Sequence, residues 1–283
     1  MSGNQLTAFT GDVSLLSEGQ VEALTELLTT LSPNSAGIEE EETTAPRIPN
    51  IKIRQAMTSD PGCPDDSEQG DLYLTGKILE NPARIIPVYF YRSRVMFEGG
   101  GSSGIECYSP NAVTGSVHGD CGKKNTDSQC DHAKWSGGRP PQCQETLNAI
   151  VLLEDLSGLA HVRFSKSSFA AGKILMSLAK AGGSIWNRQQ FLRSVPKTSG
   201  KNKYHAFEVS TAGVDSDPGA RQIAAHFCSQ FAEARKAYIE SWTNSNNGDS
   251  SIVTVEPTSK KSAKVSVTVP SLDTDDPDFE DSL

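Results

Sequence analysis

The chain has 283 residues, of which 36% are hydrophobic and 22% are charged, and its mean hydropathy is −0.40. It is long enough for one large or two small domains with a core of their own. No apolar run approaches the roughly 18 residues that a membrane span needs, and the first residues, MSGNQLTAFTGDVS, lack the features of a signal peptide. We therefore expect a cytoplasmic protein without membrane partners.

The net charge of −9 is unevenly distributed along the chain. Residues 1–46 hold eight acidic residues and no base, and residues 271–283 hold six more acids, again without a base. Removing these fourteen from the 35 acids leaves 21 against all 26 bases in residues 47–270, so the middle of the chain carries about +5. A mildly basic body between acidic ends is typical of a polyanion-binding domain with regulatory tails, although solubilising tails give the same pattern.

In chain order, the first predicted element is a short amphipathic helix over residues 14–32, with Ser17 and Gln20 in capping-box positions. An acidic linker completes the N-terminal region, residues 1–46. From residue 48 the pattern changes to runs rich in β-branched and aromatic residues, which predict strands. These strands are predicted over 51–57, 72–79, 85–97, 146–155, 159–165, 186–195 and 203–210. A helix is expected over 167–180.

This order of elements favours a small closed Greek-key barrel over a parallel α/β sheet, because strands and helices do not alternate regularly. We predict a β-rich α+β body over residues 47–212, with a cysteine-rich insertion at 105–145. A C-terminal helix is predicted over 213–243. Residues 244–283 are expected to be a flexible linker and a disordered acidic tail, since they hold few large apolar groups.

Four of the six cysteines fall within 37 residues of a Gly- and Pro-rich stretch. Soft ligands in a segment too polar to form its own core favour a structural, tetrahedral Zn²⁺ site over disulfides in a reducing cytoplasm. Unrelated free thiols, or a catalytic thiol, are the other interpretations. The predicted ligands are Cys107, Cys121, Cys130 and Cys143, with His132 or His118 as an alternative to one of them.

Aromatic and basic residues interleave on the predicted strands. In VYFYRSRVMF, period-two alternation places the two tyrosines on one face, and Phe90 with both arginines on the other. Single-stranded nucleic acid needs rings for base stacking and cations along its backbone, although core packing is the commoner role of any single ring. The candidate DNA-binding residues are Tyr89, Tyr91, Arg92, Arg94, Lys123, Lys124, Lys134, Trp135, Arg163, Phe164, Trp186, Arg188, Arg193, Lys201, Lys203 and Tyr204, with His161 and Lys197 beside them.

The C-terminus, DTDDPDFEDSL, surrounds one phenylalanine with carboxylates. Such a peptide can occupy a basic groove while the groove is empty, and can bind partner proteins once DNA displaces it. Plain solubilisation is the alternative. The predicted partner-binding residues are Asp275, Asp276, Asp278, Phe279, Glu280, Asp281 and Leu283.

Taken together, the β-rich body, the inserted cysteines, the aromatic and basic strands and the acidic tail resemble the single-stranded DNA-binding proteins of bacteriophages. The resemblance covers residues 48–210 and the tail, which ends in Ser282 and Leu283 where the group commonly ends in Phe. It implies an OB-fold body with a zinc-ribbon-like insertion, and a tail that recruits replication and recombination enzymes. The protein would bind and protect single-stranded DNA in the host cytoplasm during replication, repair and recombination. A homo-oligomer is compatible with that role.

Enzyme motifs are sparse in this chain. It has no phosphate loop of the form GxxxxGK[ST] and no HExxH zinc motif, so we predict a protein that is not an enzyme. One alternative is a zinc-ribbon transcription or recombination factor that acts through protein contacts. A less favoured alternative is a metal-dependent nuclease, whose ligands or base would be His118, Asp120, Asp131 and His132.

Overall fold

The structure is a computed structural model that describes residues 16–31, 48–56, 60–97, 104–117, 119–122, 129–136 and 138–247. The helices are α1 (Glu18–Leu31), α2 (Phe169–Ala181) and α3 (Pro218–Asn247), with short 3-10 helices at Asp131–Ala133 and Lys166–Ser168. The strands are β1 (Asn50–Ile53), β2 (Leu72–Leu74), β3 (Lys77–Ile78), β4 (Ala83–Phe97), β5 (Ile105–Ser109), β6 (Thr114–Gly115), β7 (Gly119–Asp120), β8 (Gln144–Leu153), β9 (Leu159–Phe164), β10 (Arg188–Ser199) and β11 (Asn202–Asp215). None of the described helices combines the length and apolarity needed to cross a membrane.

Nine of the strands form one mixed sheet in the order β11, β10, β4, β8, β9, β1, β2, β3, with β5 also paired to β4. Strands β1 and β9 pair in parallel, whereas β8 pairs antiparallel with both β4 and β9. Within the described residues, β11 and β3 at the two ends of this order do not pair. The predicted β-rich α+β class is therefore confirmed, but the predicted closed barrel of OB-fold type is not found.

The sheet stays open because both of its faces are buried by other parts of the protein. A barrel strand alternates between one apolar interior and solvent, whereas β8 is buried at every position from Thr146 to Leu153. Leu147, Ala149 and Val151 belong to a core that α2 helps to form. Ile150 and Leu152 point to a second core, which contains residues of α1 and α3. A sheet covered on two sides gains its burial without closing on itself.

A bulge in β4 determines which side chains face α3. The register with β8 shifts between Pro87 and Tyr89, so Val88 and Tyr89 both contribute to the core on the α3 side. Beyond the bulge the predicted alternation holds: Tyr91 also packs on the α3 side, and Phe90 packs on the α2 side.

The N-terminal helix begins with the predicted capping box. Ser17 N donates to Gln20 Oε1 over 2.9 Å, and Gln20 N donates to Ser17 Oγ over 3.3 Å. Gln20 also donates a hydrogen bond to Asp217, the residue before α3. This contact joins the starts of the first and last helices. The last helix starts later than predicted, because β11 continues to Asp215.

Candidate nucleic-acid interface and cysteine cluster

The hairpin formed by β10 and β11 extends beyond the rest of the sheet. β4 pairs with β10 only from Gln190 to Leu192, whereas the pairing of β10 with β11 continues to Ser199 and Asn202. Most residues between 196 and 203 are exposed. We call residues 193–207 the hairpin arm.

The hairpin arm carries cationic residues and no acidic residue; the cations are Arg193, Lys197, Lys201 and Lys203. The arginine is partly neutralised, because its Nε lies 3.8 Å from Glu208 Oε1 and it donates a 3.0 Å hydrogen bond to Ser210 Oγ. The three lysines form no ion pair with the part of the chain that the structure describes. Their charges are therefore available to an anion in solution.

One aromatic side chain lies among these cations. Tyr204 is directly opposite Lys197 in the register of the hairpin, so the two side chains share a face. Arg193 lies four residues before Lys197 on the same strand and also on that face. The tyrosine is half-buried. This face thus combines a ring with two cations, the two groups that a nucleotide chain requires.

Tyr89 and Tyr91, which the sequence predicts to stack on bases, make packing contacts within the protein. The guanidinium carbon of Arg235 lies 4.0 Å from the ring centroid of Tyr91, and the His161 ring is stacked on Tyr91 with centroids 5.9 Å apart. Tyr89 is stacked on Phe231 of α3 with a centroid distance of 6.5 Å. Both rings are engaged by packing within the protein.

Phe164 and Arg94 are also unsuited to the predicted role. Phe164 is 0% exposed and packs edge-on against Phe207, with centroids 5.6 Å apart. Arg94 is 4% exposed; it donates to the carbonyl oxygen of Cys143 over 3.2 Å and pairs with Glu145 at 3.1 Å. A buried ring cannot stack on a base, and a buried arginine cannot reach a phosphate.

Three of the other predicted bases have an acidic partner among the described residues. Nitrogen–oxygen distances are 3.1 Å for Arg92 with Glu145, 3.7 Å for Arg188 with Asp215 and 3.0 Å for Lys134 with Asp131. Arg163 is partly buried, and Trp186 packs on the core beside α3. Trp135 is 71% exposed. Lys123, Lys124, His118 and the tail from Asp275 to Leu283 lie outside the described residues.

A buried polar network lies under α3. His161 Nδ1 is 2.7 Å from Asn50 Oδ1, and its Nε2 is 3.2 Å from the Tyr91 hydroxyl and 3.1 Å from Asn148 Oδ1. Burial, helped by the positive charges of Arg163 and Arg235, lowers the pKa of His161 to about 3. The imidazole is therefore neutral near pH 7 and supplies no cation for DNA.

The four predicted zinc ligands lie together in one buried cluster with Met96 and Ala133. We call Cys107, Cys121, Cys130 and Cys143 the cysteine cluster. All four are thiols rather than disulfides. A hydrogen bond with the Cys121 thiol, together with burial, raises the pKa of Cys143, and burial raises the pKa of Cys130.

Of the two histidines predicted as alternative ligands, only His132 lies within the described residues. The backbone carbonyl of His132 accepts a 2.9 Å hydrogen bond from Cys143 N, and its Nδ1 lies 2.7 Å from Gln142 Oε1. As the side chains stand, no three His, Cys, Asp or Glu residues in the described ranges are arranged to hold a metal ion. Binding would therefore require the cysteine side chains to turn toward a common centre.

The described residues thus define a β-rich α+β protein, with a mixed sheet between helices, a cationic hairpin arm and a buried group of four thiols. A model of the Pam3 phage gp34-like protein family matches residues 18–237. The match covers most of the chain, which belongs to this family. No curated protein and no solved structure matches the chain significantly.

Proposed function

We propose that this protein binds single-stranded DNA without sequence preference and catalyses no reaction, in the replication, repair and recombination of phage DNA. The hairpin arm carries this proposal. Its three lysines can neutralise phosphates and release the counterions that those phosphates hold. Tyr204, opposite Lys197, offers a ring to a base.

The ring of Tyr204 favours single-stranded over duplex DNA. A base can stack on a side chain only after it has left its own stack, and such stacking is worth roughly 1–3 kcal/mol per base. Trp135 is an exposed ring outside the hairpin arm, adjacent in sequence to Lys134. Lysines and rings contact phosphates and base faces, which are common to all sequences, and this supports binding without sequence preference.

The acidic tail adds a regulatory element to the proposal. Residues 271–283 carry six carboxylates and no base, opposite in sign to the hairpin arm. We propose that the tail competes with DNA for the cationic surface and, once displaced, recruits replication or recombination enzymes.

The experiment is the binding of a fluorescent oligo-dT, followed by anisotropy at several salt concentrations. The Lys201→Gln/Lys203→Gln variant should bind more weakly. Its slope of log K against log salt should become shallower by about 1.4, since each neutralised phosphate contributes about 0.7. The matched control is Lys77→Gln/Lys180→Gln, which removes the same charge from the edge strand β3 and the end of α2. This control should behave like the unchanged protein.

Three outcomes would overturn the proposal. If both double variants lose affinity equally, overall charge drives binding and the hairpin arm has no special role. If duplex DNA binds as tightly as oligo-dT, the preference for single strands is wrong. Failure to bind either nucleic acid would favour the alternative of a factor that acts through protein contacts.

A further inference from the structure

We infer that the cysteine cluster is a structural site for one Zn²⁺, with Cys107, Cys121, Cys130 and Cys143 as its four ligands. The inference is independent of DNA binding. It starts from four cysteines that are separated by thirteen, eight and twelve residues in the sequence but share one buried cluster, in which a hydrogen bond joins the Cys121 and Cys143 side chains.

The four cysteines divide into two that are held by the sheet and two that are not. Cys107 lies on β5, opposite Met96 of β4, and Cys143 directly precedes β8. Cys121 and Cys130 come from the stretch between these strands. Its described regular structure is limited to the two-residue strands β6 and β7 and a three-residue 3-10 helix. A shared metal ion would attach this stretch to the edge of the sheet.

Hydrophobic burial alone gives this stretch little support. The buried hydrophobic residues that pack with the four cysteines are only Met96 and Ala133. By comparison, seventeen buried residues form the core on the α2 side. Larger apolar side chains in the insertion, Val117 and Trp135, are exposed. Small segments with so little core are commonly stabilised by metal–thiolate bonds.

The chemistry of the four sulfur ligands indicates which metal ion the site would bind. Four sulfur ligands without a carboxylate suit Zn²⁺ in tetrahedral geometry, and they do not suit Mg²⁺ or Ca²⁺, which require oxygen. On binding, each thiol loses its proton to solvent and forms one zinc–sulfur bond. The centre then carries a net charge of −2, because four thiolates surround one divalent cation.

A buried cation next to the cluster suits such an anionic centre. Arg94 is more than nine-tenths buried and donates to the carbonyl oxygen of Cys143. Its Nε is buried and has no acceptor among the described residues. Glu145 is shared between this guanidinium and that of Arg92, and a tetrathiolate centre beside Arg94 would provide a further electrostatic partner.

The test is metal analysis of the full-length protein, purified under reducing conditions without chelator. We expect about one zinc per chain, and replacement by Co²⁺ should produce the charge-transfer absorption of a cobalt–thiolate centre. Cys121→Ser/Cys130→Ser should lose the metal. The matched control is Cys63→Ser/Cys228→Ser, which removes two thiols outside the cluster and should keep it.

A second measurement covers the case in which the cluster variant fails to fold. Removal of zinc from the unchanged protein by a chelator should open residues 105–145 to a protease and leave the β4–β8–β9 sheet resistant. A fresh, reduced protein that contains no zinc and takes up no Co²⁺ would overturn the inference. So would retention of zinc by the cluster variant, or a Cys121–Cys143 disulfide in protein kept from air.

Discussion

Arg235 of α3 places its guanidinium carbon 4.0 Å from the ring centroid of Tyr91 on β4. The same guanidinium donates hydrogen bonds to the carbonyl oxygens of Pro110 and Arg92. One side chain therefore connects the middle of the last helix with β4 and with the turn after β5. Through this contact Tyr91, which the sequence marks as a candidate for base stacking, packs against the last helix.

Replacing Arg235 by Gln should lower the free energy of unfolding by about 1–2 kcal/mol, because the variant lacks both the cation–π interaction and the hydrogen bonds to carbonyl oxygens. Urea denaturation followed by circular dichroism measures the change. Lys236→Gln, at the exposed neighbouring position, is the matched control and should change stability by less than about 0.5 kcal/mol. Equal losses of stability in the two variants would contradict the anchoring role.

Gly172 allows α2 to approach the sheet closely. A Cβ at this position would lie 2.7 Å from Cβ and Cγ of Phe164, atoms that cannot move without displacing a fully buried ring. Gly172→Ala should therefore destabilise the protein by about 1–3 kcal/mol, despite the better helix propensity of alanine.

Thermal unfolding measures this effect, with Gly158→Ala as the control. No atom lies within 4 Å of a Cβ built at Gly158, so this substitution should be tolerated. A neutral or stabilising Gly172→Ala would show that α2 can shift away from the sheet.

His161 should make stability depend on pH. Its pKa is lowered from 6.5 to about 3 in the folded protein, so between these values the unfolded chain binds a proton that the folded protein excludes. The contribution of the neutral His161 to the free energy of unfolding is fully present above pH 6.5. It is lost as the pH falls below this value, by about 1.4 kcal/mol per pH unit.

Urea denaturation between pH 7 and about pH 4.5 tests this effect in the unchanged protein and in His161→Gln. The variant should lose stability less steeply on acidification, whatever its stability at pH 7. Carboxylates and His226 titrate in both proteins, so the difference between the two slopes isolates His161. Identical slopes would contradict the neutral, buried state of the imidazole.

Deletion of residues 271–283 should tighten binding of oligo-dT if the tail competes for the hairpin arm. The gain should shrink as salt rises, because screening weakens the attraction between the tail carboxylates and the lysines. A full-length variant with the six acids changed to their amides is the control and should reproduce the deletion. Unchanged or weaker binding after deletion would contradict competition by the tail.

The local elements were predictable, and their assembly was not. The helix over 167–180 and the strands around Tyr89, Ile150 and Val162 follow from apolar periodicity, and their positions agree closely with the structure. Closure of the sheet depends on what covers each face. The apolar run of β8 is compatible with several sheet architectures, and only the packing of α2 and α3 shows that both of its faces are buried.

From the sequence alone one can establish the charge distribution and the grouping of four cysteines, since both are properties of residue order. The exposure of individual rings and cations could be decided only by the tertiary structure. Phe164 and Tyr204 each lie on a strand beside basic residues, yet the first is buried beneath α2 and the second lies on the hairpin arm. The physical reason is that accessibility depends on contacts between segments distant in sequence, which periodicity along one strand does not encode.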